Sequence, residues 1–151
     1  MRLFRIARRP YANLGGEGGL HYPGRWHDRG YRILYTSTSI ALAAIEFAVH
    51  SSTRPPDTML VQIELDDGVD LVHIVDMIGG PLPGNWASDQ GHTRPLGTAW
   101  LLGRKSVALV VPSVVIPLER NILLNPEHAD CGPVAMIDCK PFFFDPRLFT
   151  R

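Results

Sequence analysis

The stretch RILYTSTSIALAAIEFAVH, residues 32–50, contains a strand, a helix and the junction between them. RILYTS carries the β-branched and aromatic residues of a strand. Ser37, Thr38 or Ser39 can cap the helix SIALAAIEFAVH, because a hydroxyl there accepts a backbone N–H that the first turn leaves unpaired. The run Ser51-Ser52-Thr53-Arg54-Pro55-Pro56 ends that helix. Glu46 lies four residues after Leu42 and three before Val49, on the apolar stripe of an otherwise uncharged helix. A carboxylate so placed faces the interior or a cleft, and desolvating it is costly unless it is paired, hydrogen-bonded or protonated. Two readings stand: a structural carboxylate bonded to strand hydroxyls or to His50, and a functional one.

Upstream, MRLFRIA reads as a first strand, followed by a glycine-rich loop as far as Gly30. Downstream, TMLVQIELDD and VDLVHIVD alternate at period two around Asp66-Asp67-Gly68, which predicts a hairpin or two successive strands. A loop with Pro81, Pro83, Gly84 and Trp86 leads to a second helix over about Thr93 to Gly103, with Pro95 in its first turn. Val107 to Val111 reads as a buried strand running into Pro112-Ser113, and short strands and turns continue from NILLNPEH to FFFDPRLF. Strands outnumber helices without alternating regularly with them. This favours one α+β domain over residues 1–151, with a mostly antiparallel β core and flanking helices.

Hydrophobic residues make up 45% of the 151, enough for a single core and against disorder. The 15 basic and 15 acidic side chains cancel, so no global field draws the chain to nucleic acid or to an anionic membrane. Met1 to Tyr35 nevertheless carries seven arginines against Glu17 and Asp28, whereas Asp57 to Asp76 carries six acids and no lysine or arginine. Anion binding, where it occurs, is therefore local to the first segment. Only Lys105 and Lys140 are lysines, so the positive charge is nearly all guanidinium, the group suited to bidentate contact with phosphate. Cys131 and Cys139 form no metal or redox motif and read as two free buried thiols. The N-terminus lacks an uninterrupted apolar signal-like run, and Val107 to Leu118 is too short to span a bilayer, which points to a cytoplasmic protein.

GGEGGLHYPGRW, Gly15 to Trp26, puts five glycines ahead of Arg25. No Gly-Lys-Ser/Thr follows, and His21 stands where a dinucleotide-binding turn needs its third glycine, which excludes both common phosphate fingerprints. Ser113 in VPSVV has no GxSxG elbow, and the six histidines form neither a triad-like nor an HExxH pattern. Tyr35, at the end of its strand, can border one cleft with Glu46.

Taken together, GGLHYPGRWHDRG, ILYTSTSIALAAIEFAVH, the Trp86 and Gly97-Thr98-Ala99-Trp100 segments, VPSVVIPLERNILLNPEH and the closing FFFDPRLF resemble the RES domain, in order and over essentially the whole chain. That family is named for an arginine, a glutamate and a serine, which Arg25, Glu46 and Ser113 match; Tyr35 and Asn121 occupy further characteristic positions. The resemblance implies a bacterial toxin of a toxin–antitoxin pair, with a fold similar to ADP-ribosyltransferases and an activity that consumes NAD+ as substrate without a metal. The acceptor of ADP-ribose is then water, phosphate or a protein, and an inactive nucleotide-binding or antitoxin-binding module is the alternative from another class. The implied partner is an antitoxin with an Xre-type helix-turn-helix domain. No direct contact with nucleic acid or membrane is implied, and a homodimer is left open.

These residue types suit that chemistry. Arg25, with Trp26 beside it, can fork onto the pyrophosphate, and Tyr35 offers a π-face to the cationic nicotinamide. Glu46 can stabilise positive charge developing on the ribose; the resemblance places Ser113 with Arg25 and Glu46 among the catalytic residues, and Asn121 with Arg25, Trp26 and Tyr35 among those that bind NAD+. Nicotinamide leaves as a neutral molecule, so no general acid is needed.

Overall fold

The computed structural model describes residues 1–130 and 132–149. Seven strands form one sheet in the order β4-β5-β6-β2-β1-β3-β7. β1 (Arg2–Arg8) pairs along its length with β3 (Thr58–Leu65), which pairs in turn with β7 (Val134–Pro141). β2 (Leu34–Ser37) pairs with β6 (Arg120–Leu124), and β6 with β5 (Ala108–Pro112). All of these are antiparallel, while β4 (Leu71–His73) joins β5 in parallel. This is the α+β fold with a mostly antiparallel core that the sequence predicts.

Period-two alternation divides the apolar residues between the sheet's two faces. Leu3, Leu34, Val61, Ile63, Val110, Ile122 and Leu124 gather in one cluster. Leu109, Val111 and Leu123 point the other way, beneath Trp100 and Leu101 of the helix α4 (Gln90–Gly103) and beside Trp26. The helix α2 (Ile40–Ala48) lies against β1 and β2, with Ala43 in one cluster with Ile6, Leu60 of β3 and Phe144. Ser39 caps α2 as expected, its hydroxyl accepting the Leu42 N–H at 3.1 Å.

The two halves of the sheet meet in a single pairing of β1 with β2, Phe4 opposite Ser37. Beyond that pair both strands turn their edges to a cleft instead of to each other. This seam is the feature that positions the site.

Several local expectations give way. The glycine-rich segment contains a short helix, α1 (Gly18–His21). Of the two alternatives around Asp66-Asp67-Gly68, the structure takes successive strands and not a hairpin, because β3 has β1 and β7 as partners and β4, three residues long, goes to β5. The remainder of VDLVHIVD turns into α3 (Ile74–Ile78). α4 starts earlier than Thr93, at Gln90 behind an Asp89 cap, so Pro95 lies in its second turn, not its first. FFFDPRLF is irregular apart from a 3-10 turn over Pro146–Leu148. Cys139 is exposed on the edge strand β7 rather than buried; Cys131 lies outside the described residues.

Candidate active site

A cleft of about 860 Å³ opens at the seam, large enough for a dinucleotide by the usual range of ligand sites. Phe4 to Arg8 of β1 and Tyr35 to Ser37 of β2 form its walls, α2 contributes Glu46, and Gly24 to His27 cross one end. Its lining carries three guanidinium groups, Arg5, Arg8 and Arg25, against a single carboxylate, Glu46. Three of the seven arginines of the first segment thus line this cleft.

Glu46 is held by two donors. Oε1 accepts the Ser113 hydroxyl at 2.6 Å and the Asn121 amide N–H at 2.5 Å. Asn121 is held in turn by the Ser37 hydroxyl, which donates to its Oδ1 at 2.7 Å across the β2–β6 ladder. Ser113 is fully buried at the end of β5, and its oxygen accepts the Val115 and Ile116 N–H groups at 3.1 and 2.9 Å. No cation forms an ion pair with Glu46 among the described residues, and His50 does not bond to it. One carboxylate oxygen is therefore fixed by two neutral donors, and Oε2 has no hydrogen-bond partner in the described chain. That arrangement orients the group while keeping its charge uncompensated.

At the other end, the backbone around Arg25 is tied to α4 and β2. Thr93 Oγ1 donates to the Arg25 carbonyl at 2.7 Å, and Arg94 Nε to the Gly24 carbonyl at 3.0 Å. The Trp26 N–H donates to Tyr35 Oη at 3.1 Å. Two glycines permit this closeness: a Cβ on Gly24 would lie 2.5 Å from Tyr35 Oη, and one on Gly97 would lie 1.8 Å from the Trp26 carbonyl oxygen. The half-buried Arg25 guanidinium donates from Nη1 to the Trp86 carbonyl at 3.2 Å, which aims it and leaves its other N–H groups for a ligand.

The site residues anticipated from sequence thus fall into place unequally. Arg25, Tyr35, Glu46 and Asn121 line one cleft. Ser113 lies behind Glu46, outside the lining. Trp26 borders the cleft, but its indole is 2% exposed and packs into the core, 6.1 Å from the Trp86 ring between centroids. Two residues escaped the sequence reading. Arg5 stands in the β1 wall, bonded from Nη1 to the Tyr11 and Asn13 carbonyls at 2.6 and 3.3 Å; burial lowers its pKa to about 10, against an opposing pull from Glu17. His27 is buried against Tyr35, with its Nδ1 2.8 Å from Oη. Burial pushes the His27 pKa down and the Tyr35 pKa up, so both are uncharged near neutrality. The excess of arginine before Tyr35 was the signal available for Arg5; none marked His27.

A sheet seam that opens on a cleft lined by three guanidinium groups and one oriented carboxylate marks an α+β domain whose site suits an anionic ligand. The comparisons narrow it. The RES domain family profile matches residues 2–145. A protein named Toxin Res from Yersinia enterocolitica is 36% identical over 98% of this chain and 99% of its own length. Another Toxin Res, from Pseudomonas putida, is 37% identical over 99% of this chain and all of its own. A Sphingobium protein named Prs ADP-ribosylating toxin is 33% identical over 92% of this chain and 88% of its own. The chain belongs to the RES domain family. Among solved structures, a chain of the M. tuberculosis MbcT–MbcA toxin–antitoxin complex superposes with a TM-score of 0.75, covering 98% of this chain and 86% of that one. At 15% identity, that likeness concerns the fold.

Proposed function

We propose that this chain is the toxin of a toxin–antitoxin pair and that it cleaves the nicotinamide–ribose bond of NAD+, passing ADP-ribose to water or phosphate. The observation that carries the reading is Glu46, held at Oε1 by Ser113 and Asn121 with its charge unpaired, in a cleft whose other ionised groups are guanidinium. The relatives named as toxins, one of them as ADP-ribosylating, support it.

In this mechanism Arg25 and Arg5 hold the pyrophosphate. The C1′–N bond breaks with its electron pair going to the nicotinamide nitrogen, which neutralises the pyridinium and releases nicotinamide without a proton. Positive charge develops on the ribose, and Glu46 stabilises it through Oε2 while its other oxygen stays anchored. Water or phosphate then adds to C1′, and its proton passes to solvent. Ser113 serves Glu46 by position; two backbone N–H groups and the carboxylate occupy its oxygen and proton, which does not suit a nucleophile. The partner in this reading is an antitoxin with an Xre-type domain, and the setting is the cytoplasm.

A second reading keeps the same site and transfers ADP-ribose to a protein, favoured by the Sphingobium relative's name. NAD+ labelled in the adenylate half, incubated with the purified chain with and without cell lysate, separates the two. Free ADP-ribose or its phosphate ester in both arms supports the first. Label retained on a protein band only with lysate supports the second, and intact NAD+ in both refutes cleavage.

A further inference from the structure

Tyr35 Oη sits between two partners, and the direction of each bond follows from its chemistry. His27 Nε2 lies 3.1 Å from the Tyr22 carbonyl oxygen, which only accepts, so Nε2 carries the proton. In the uncharged ring Nδ1 is then the acceptor, and the Tyr35 hydroxyl donates to it at 2.8 Å. With its proton so directed, Oη presents a lone pair to the Trp26 N–H at 3.1 Å. His27 closes the loop through its own backbone, since its carbonyl accepts the Gly24 N–H at 3.0 Å. Gly24 and Trp26 are the two neighbours of Arg25 in the chain.

We propose that His27 is a positioning residue: it fixes the Tyr35 hydroxyl through Nδ1 and the Gly24 N–H through its carbonyl, and so holds Arg25 at the mouth of the cleft. The inference deepens the reading of the site as an NAD+ cleft and rests on it, with the pyrophosphate as the group Arg25 must meet. His27 is 3% exposed, so it acts without touching substrate. Its environment supports one protonation state. Tyr35 and the Tyr22 carbonyl occupy its two ring nitrogens, and Arg94 on α4 opposes a second proton while Asp28 favours one. An imidazolium would turn Nδ1–H toward Oη, set it in competition with the Trp26 N–H for the hydroxyl's lone pairs, and loosen the clamp.

Loss of the side-chain half of this clamp should show as weaker substrate binding rather than slower chemistry, because Glu46 at the far end is untouched. His27→Phe keeps an aromatic ring, though a larger one, and removes both nitrogens; His27→Asn restores an acceptor near the Nδ1 position. We expect the KM for NAD+ to rise about tenfold in His27→Phe with kcat changed less than threefold, and most of the loss to be recovered in His27→Asn. In a Tyr35→Phe background, which already lacks the hydroxyl, His27→Phe should add less than a further twofold. Unchanged KM per folded molecule, or effects that multiply in the double variant, would overturn the proposal. The clamp is also readable without turnover, from the ring 15N signals of His27 in the wild-type chain and in Tyr35→Phe. An uncharged ring protonated at Nε2, with an Nδ1 signal that moves when the hydroxyl is removed, supports it. Protonation at Nδ1 at neutral pH, or an Nδ1 signal indifferent to Tyr35, refutes it even if His27→Phe fails to fold. Failure of the NAD+ reading is a different result: wild-type protein leaves NAD+ intact whatever the His27 signals show.

Discussion

Glu46→Gln separates charge from shape at the centre of the site. The amide oxygen can still accept from Ser113 and Asn121, which donate at 2.6 and 2.5 Å to Oε1. A hydrogen bond to a charged group contributes about 1.5–3 kcal/mol and one between neutral groups about 0.5–1.5, so the two bonds together weaken by about 2–3 kcal/mol. Relief from holding an unpaired carboxylate in a partly desolvated wall offsets that loss, and no ion pair disappears with the charge. The net change in stability should stay within about 1 kcal/mol, a shift of about 2–4 °C in Tm for a domain of this size. Catalysis has no such offset. Removing a preorganised charge from beside the developing oxocarbenium should cost about 2.7 kcal/mol or more, a hundredfold in turnover. Thermal denaturation and NAD+ consumption on the same purified variant test both halves. A Tm lowered by 10 °C or so, with turnover per folded molecule preserved, would show Glu46 to be a structural group and refute the reasoning.

Arg25→Ala should weaken NAD+ binding by about 1.5–3 kcal/mol, roughly ten- to a hundredfold in Kd by calorimetry, and abolish toxicity in cells; wild-type affinity would remove Arg25 from the phosphate site. Ser113→Ala should lower turnover by removing one of the two anchors of Oε1, without accumulation of any intermediate, and a covalent adduct trapped on Ser113 would overturn its positioning role. Gly97→Ala drives a methyl into the Trp26 carbonyl, 1.8 Å away before relaxation, and should destabilise the fold by about 1–3 kcal/mol in denaturant titration. The His27 pKa is lowered on folding, chiefly by burial, so the unfolded chain takes up that proton first as pH falls. Stability from this group is complete above about pH 7, declines as pH falls through the ordinary histidine value near 6.5, and levels off below the folded value. Melting curves between pH 5 and 8 should show that slope in the wild-type chain and a shallower one in His27→Asn.

The sequence carries most of what the sheet's centre needs and little of its edges. α2 is legible because a serine cap, an apolar run broken only by Glu46 and a proline-rich exit agree, β1 and β2 because apolar, β-branched and aromatic residues mark them, and β5 because its apolar run is continuous. β7 escapes because an edge strand need bury little: Ala135, Met136 and Ile137 are all exposed, and no period-two pattern survives. β4 is legible as a strand in VDLVHIVD but read too long, and its pairing escapes because its partner β5 lies far along the chain. The start of α4 was misplaced by anchoring on Pro95, whereas Asp89 supplies the cap, its carboxylate accepting the Gly91 N–H at 2.8 Å. Glu46 announced itself as a charge on an apolar stripe. Asn121 had no local signal and entered only through the family resemblance, because its meeting with Glu46 depends on the β2–β6 register. His27 could not be found by spacing at all, since only the folded loop brings it against Tyr35.

The central claim is that the cleft breaks the nicotinamide–ribose bond, and nicotinamide release from NAD+ by the purified chain, free of antitoxin, tests it most directly. Chromatography of the products over a time course should show nicotinamide accumulating one for one with ADP-ribose or its phosphate ester, with Glu46→Gln at least a hundredfold slower. NAD+ recovered intact from folded wild-type protein, with both water and phosphate present as acceptors and lysate added as a source of protein acceptors, would contradict the account.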